Sequence, residues 1–226
     1  MIYPSASVPP NETERLEAVQ LYAHLPLRHQ IFQAVIELTA AVFGAPMSIM
    51  SIVEATQVQY PGSTGLVLPE RMARLDCICS AAVYTHDTTI FHNLQLHPCP
   101  WVSPQAQAQT SFVFYAGTPL LTEHDFAIGT LCILDQESRP FAPTDQELLR
   151  RLARLAMYLL DLHRLGDDQS SAPIPCWEEI EDQLAATTHA LTALAAPTQQ
   201  PERSSLVEAL EQHLDMVYLH ASRPVR

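Results

Sequence analysis

The chain has 226 residues, 47% of them apolar and 7% aromatic, with twelve basic against twenty-five acidic side chains and a net charge of −13. All twelve bases are arginines, and so acidic a field repels phosphate backbones and anionic headgroups, which excludes nucleic acid and the membrane surface as expected partners. No window reaches the roughly 18 consecutive apolar residues of a membrane span, and the opening MIYPSASVPPNE has neither the basic start nor the apolar run of a secretory signal, so a cytoplasmic location is expected.

The length suits one domain of about 150 residues with an appendage. Residues 1–11, rich in Pro and Ser, predict a disordered start. Asn11-Glu12-Thr13-Glu14 opens a helix with Leu16, Val19 and Ala23 at helical spacing. A second helix over 28–43 buries Ile31, Phe32, Val35, Leu38 and Val42 and stops at Gly44-Ala45-Pro46. Residues 47–53 read as a buried strand and 57–60 as a weaker one, ended by a turn at Pro61-Gly62. The pattern over 75–84 is helical, with Cys79, Ser80, Ala81 and Ala82 small enough for close backbone approach. Residues 88–92 form a short strand. The stretch 94–110, with Trp101, prolines and four glutamines, has no clean periodicity, and a connection of that length predicts a lid or binding loop.

Two strands follow, 112–122 and 127–136, joined by a polar turn that holds Glu123-His124-Asp125. Pro143-Thr144-Asp145-Gln146-Glu147 opens a long helix to 165, along which Leu148, Leu152, Leu155, Leu159 and Leu162 repeat at four-three spacing. Residues 166–175, GDDQSSAPIP, are a linker by composition. Over 176–221 two amphipathic stripes, Trp177, Ile180, Leu184, Thr187, Leu191, Leu194 and then Val207, Leu210, Leu214, Val217, Ala221, predict a helical hairpin. Two helices alone bury little, so the hairpin has to pack on the core domain, a second subunit or another protein. The stretch 166–226 carries ten acids against three arginines, which suits a basic partner or water better than DNA.

The paired blocks FYAGTPL and GTLCILD within 114–135 carry the strongest signal in the chain. They resemble the closing hairpin of a GAF domain, as found in bacterial stand-alone and kinase-linked members of that family. The resemblance covers residues 12–165 and implies an α+β, PAS-like GAF fold: a mainly antiparallel sheet flanked by helices, with the C-terminal helical hairpin appended. It also implies a small-molecule-binding sensory or regulatory module, with the ligand between the sheet and the irregular 94–110 segment. It names no ligand or cofactor. Cyclic-nucleotide GAF domains carry an Asn-Lys signature, and a chain without lysine does not match it.

The expected cavity is bounded by the helix of Cys79, the 94–110 segment and the strand of Phe114 and Tyr115. Its candidate ligand-binding residues are Cys79, Phe91, Trp101, Phe114 and Tyr115. Each has a plainer role as core packing. Strict alternation puts Phe112 and Phe114 on one face and Val113 and Tyr115 on the other. Five cysteines without a framework of even spacings read as free thiols. On a helix Cys77 and Cys79 point about 200° apart, so one packs in the core and the other lines the cavity. A redox-sensing or ligand-attaching thiol at Cys79 is the sharper alternative. In many relatives that helix reads Cys-Ala-His; here it reads Cys79-Ser80-Ala81, which removes the base that would activate the thiol and departs from bilin-binding members. His86, His92, His97 and Cys99 match no compact metal module, and no metal or catalytic residue is expected.

The leading expectation is a non-catalytic sensory protein that binds a small molecule or senses redox state and signals through its terminal helices. Its partner is a second copy of itself or another signalling protein. One alternative is a free methionine sulfoxide reductase, which needs an attacking thiolate and a resolving cysteine, such as Cys79 with Cys77 or Cys99. Another is a structural adaptor with an unused pocket.

Overall fold

The computed structural model describes residues 9–167 and, beyond them, helical positions at 180, 182, 184–186, 205, 208, 209 and 212. Two N-terminal helices come first. Helix α1 (Glu12–Ala23) carries Glu12 and Glu14 in its first turn, where the helix dipole favours acids. It buries Arg15, Ala18, Val19 and Tyr22, whereas Leu16 is only half-buried. Arg15 is fully buried because its guanidinium is satisfied on every side: Nη1 donates to the carbonyls of Val53 (2.8 Å) and Ala127 (3.1 Å), and Nε and Nη2 donate to Glu12. Helix α2 (Gln30–Phe43) begins two residues later than the pattern predicts, because the His29 ring accepts the Ile31 N–H and caps it. Gly44 ends it in the left-handed region, φ 54°.

Six strands form one antiparallel sheet, ordered β3-β2-β1-β6-β5-β4: β1 (Met47–Val53), β2 (Gln57–Thr64), β3 (Arg71–Ala73), β4 (Thr89–Phe91), β5 (Phe114–Leu121) and β6 (Ala127–Asp135). The two strands of the sequence motif, β5 and β6, are hydrogen-bonded neighbours, with Phe114 opposite Asp135 and Leu120 opposite Gly129. Pro61-Gly62 makes no turn. Strand β2 runs through it to Thr64, and the register against β1 shifts between Met50 and Ile52, so the proline sits at a bulge, where a missing N–H costs least. Strand β3 carries no periodic signature and forms only as an edge against β2.

The two faces of the sheet differ. Met50, Ile52, Leu120, Ile128 and Leu131 pack with α1, α2 and α4 (Pro143–Asp167) in the main core. Every leucine of the four-three stripe on α4 is buried in that core or beside it. Helix α4 runs two residues past the predicted end at 165, and Ile180 and Leu184 are fully buried in the same cluster, so the chain beyond α4 contributes to the domain's own core at these positions. The rest of the predicted hairpin lies outside the described residues. Among the described residues no helix is long and apolar enough to cross a membrane.

On the opposite face the backbone is less regular. Residues 75–84 are not an α-helix but two 3-10 segments, Arg74–Asp76 and Ile78–Tyr84, separated by an extended Cys77 (φ −111°, ψ 120°). The Ser80 hydroxyl donates back to the Cys77 carbonyl at 2.7 Å and its N–H does so at 3.2 Å, a local pairing that tightens the turn. The 94–110 segment contains one short helix, α3 (Pro104–Gln109), capped by the Ser103 hydroxyl.

Candidate ligand-binding site

A cavity of about 480 Å³ opens between this face of the sheet and the irregular layer, a size in the usual range for small-molecule sites. Ile49 of β1, Tyr60 of β2 and Leu134 of β6 make its floor. Leu66, Leu68 and Met72 form one wall and Cys77, Ile78 and Cys79 another. Leu94, Cys99, Val102, Phe112 and the inner side of α3 form the roof, with Gln95, Gln105, Gln107 and Gln109 among the lining groups. No lining residue is an arginine or a histidine, and Asp76 is the lining carboxylate.

A few polar ties hold the roof. The Ser103 N–H donates to the Leu75 carbonyl (2.7 Å), and its hydroxyl donates to Asp76 Oδ1 (2.6 Å). Gln107 Nε2 donates to the carbonyls of Cys99 (2.8 Å) and Val102 (2.6 Å), folding α3 back on its own loop. Trp101 stacks on Tyr84, with ring centroids 5.3 Å apart and planes 9° from parallel. The Arg74 guanidinium lies over the other partner in that stack, 5.6 Å from the Tyr84 centroid, and bonds to Glu12. A continuous set of contacts therefore joins the roof to the start of α1.

Four thiols, Cys77, Cys79, Cys99 and Cys132, are free and buried in one cluster. Cys79 Sγ lies 3.7 Å from Cys132 Sγ, and Cys77 Sγ lies 2.9 Å from the Tyr60 hydroxyl. The expectation that Cys77 and Cys79 point apart fails because Cys77 is extended: both are buried and both line the cavity. The hydrogen bond to Cys79 and burial push the Cys77 thiol well up, and the contact with Cys132 and burial do the same for Cys79. Burial pushes Cys99 up to about 11. These are protonated thiols at neutral pH, not thiolates.

Of the five residues predicted to bind ligand, the structure brings Cys79 to the cavity. Phe91 is half-buried on the edge strand, 6.3 Å from the Tyr115 ring. Trp101 is half-buried in its stack on Tyr84. Phe114 faces the helices instead, in a small cluster with Ala116, Ile133, Phe141 and Leu149. Tyr115 is on the cavity side but fully buried beneath the lining, its hydroxyl without a partner among the described residues. Phe112 lines the cavity in Phe114's place. Alternation misassigned it because β5 starts only at Phe114, and residues outside the strand do not follow the pleat. Tyr60, Met72 and Gln107 are lining residues that sequence reasoning missed. Tyr60 and Met72 stand at a bulge and on an edge strand where periodicity is weak, and alternate glutamines at 105, 107 and 109 follow no helical period, so nothing in the sequence singled out Gln107. His86, His92, His97 and Cys99 do not converge: His92 Nδ1 lies 3.1 Å from the Arg139 carbonyl, while Cys99 is in the roof. Among the described residues no cluster of three or more His, Cys, Asp or Glu is placed to hold a metal ion.

The GAF domain family model matches residues 27–160, more than half of the chain. The chain belongs to the GAF domain family. A cyclic di-GMP phosphodiesterase of Pseudomonas aeruginosa is 29% identical over 129 residues, which is 57% of this chain and 22% of that protein. The chain thus spans about a fifth of that relative's length. A GAF domain/HD domain protein from Geobacter sulfurreducens shares the fold at a TM-score of 0.51 and 12% identity, covering 64% of this chain and 98% of that one. The GAF domain of a phosphoenolpyruvate-protein phosphotransferase from Coxiella burnetii aligns at 0.48 and 18% identity, covering 71% and 96%.

Proposed function

We propose that this GAF protein is a non-catalytic sensor: a small molecule enters the cavity, shifts the roof, and the change reaches a partner protein or a second copy of the chain. The observation that carries this is the open, mostly apolar cavity roofed by a segment held through a handful of hydrogen bonds. Such a roof sits at the low-stability end of a fold, where ligand-linked motion is cheapest. The contacts from Trp101 through Tyr84 and Arg74 to Glu12 supply a route to α1, and the burial of Ile180 and Leu184 supplies one to the C-terminal segment. The similarity to a cyclic di-GMP phosphodiesterase suggests a signalling setting, without carrying over its activity.

The thiol chemistry weighs against the sulfoxide reductase alternative. Reduction by that route starts with a thiolate attacking sulfur, and Cys77, Cys79 and Cys99 are all held in the protonated form. The test is a turnover assay with free methionine sulfoxide and a thiol reductant, run beside alkylation by iodoacetamide. The sensor reading expects no turnover above that of a Cys79→Ser variant and slow alkylation, at pH 7, of the four buried thiols Cys77, Cys79, Cys99 and Cys132. Cys79-dependent turnover would replace it with an enzyme.

A further inference from the structure

Five side chains that touch the cavity can ionise: Tyr60, Asp76, Cys77, Cys79 and Cys99. The phenol and the thiols stay neutral at pH 7, so Asp76 supplies the cavity's formal charge. The arginines nearest in sequence, Arg71 and Arg74, do not line the cavity. Arg74 bonds to Glu12 and covers Tyr84, and Arg71 bonds to Glu54 and Gln59. An anion that entered would give up its hydration for aliphatic groups, thiols and amides, and would face a carboxylate at the roof tie; no cationic side chain on the lining repays that loss. An uncharged molecule meets no such cost. It buries its apolar part against Ile49, Leu68, Met72 and Leu134 and keeps polar atoms among the glutamine amides.

We propose that the cavity takes uncharged, largely apolar organic molecules and turns anions, nucleoside phosphates included, away, with Asp76 as a residue that sets this selectivity. The proposal rests on the cavity being a ligand site at all, and the experiment separates the two. The probes are N-phenyl-1-naphthylamine and 8-anilino-1-naphthalenesulfonate, which share one ring framework and differ by a sulfonate. Each is titrated into the full chain at 0.3 M salt, where the field of the distant acidic groups is screened and the local lining decides. The methyl NMR shifts of Ile49, Ile78 and Leu134 report binding in the cavity itself.

The neutral probe should move these methyls and bind at least about tenfold more tightly than the sulfonate. Asp76→Asn, which keeps an oxygen for the Ser103 hydroxyl, should narrow that ratio by about twofold or more, a modest factor because Asp76 is exposed. If both probes bind within threefold at the same methyls, the charge selection is overturned and the site stands. If the gap survives unchanged in Asp76→Asn, the role of Asp76 is overturned. Saturating concentrations of both probes that leave all three methyls unmoved would remove the site, and the selectivity with it.

Discussion

Gly117 shows why a glycine stands two residues after Tyr115 in this hairpin. Tyr115 lies flat along β5, so a Cβ at position 117 would stand 2.1 Å from its hydroxyl oxygen and 2.5 Å from the ring carbon that bears it. Gly117→Ala should therefore cost about 1–3 kcal/mol in urea unfolding, as overpacking does. Tyr115→Phe removes a hydroxyl that has no partner, so alone it should be close to neutral, and in the double variant it should recover part of the Gly117→Ala loss. Glu12 offers a second test at this scale. Burial pushes its carboxyl up, but the Arg15 and Arg74 guanidiniums more than offset this and hold it below the ordinary value of 4.5. A depressed folded value gives stability that is fully present above the unfolded one and fades as pH falls through the folded one. Glu12→Gln should destabilise by about 3 kcal/mol at pH 7, because Arg15 is left buried without its carboxylate. The gap between wild type and variant should begin to narrow as pH falls below about 4.5 and close only below the depressed folded value.

At the scale of elements, α4 is covered by its own chain. Leu152 and Leu155 are fully buried, so Leu152→Glu should unfold the domain, with a loss of more than about 4 kcal/mol by circular dichroism, instead of dissociating a dimer. A self-association surface has to lie elsewhere. Ile180→Ala, beyond α4, should cost about 2–4 kcal/mol in the same assay, and a cost near zero would mean that the C-terminal segment does not close the core. The helices α1, α2 and α4 and the β5/β6 hairpin were legible in the sequence because each has a long period or a specific turn. The 3-10 pair around Cys77 was not: its shape comes from one serine hydroxyl competing for a backbone carbonyl, which no periodicity records. The site was legible as a place, through the aperiodic 94–110 segment, more than as a residue list. Which aromatic faces the cavity depended on where β5 begins, a boundary two residues from the predicted one.

Across the whole molecule, the sheet divides a helical face that makes the core from an irregular face that makes the cavity, and the contacts from Trp101 to Glu12 run between the cavity's roof and α1. The central claim is that this cavity holds a small molecule in the working protein. Native mass spectrometry of the full chain, purified cold and without detergent, tests it most directly, with Ala106→Trp as the control, since Ala106 lines the cavity and the larger ring would fill it. The account predicts a bound mass that disappears on denaturation and is missing from folded Ala106→Trp. A bare protein mass in wild type, or an adduct that Ala106→Trp retains, would contradict it.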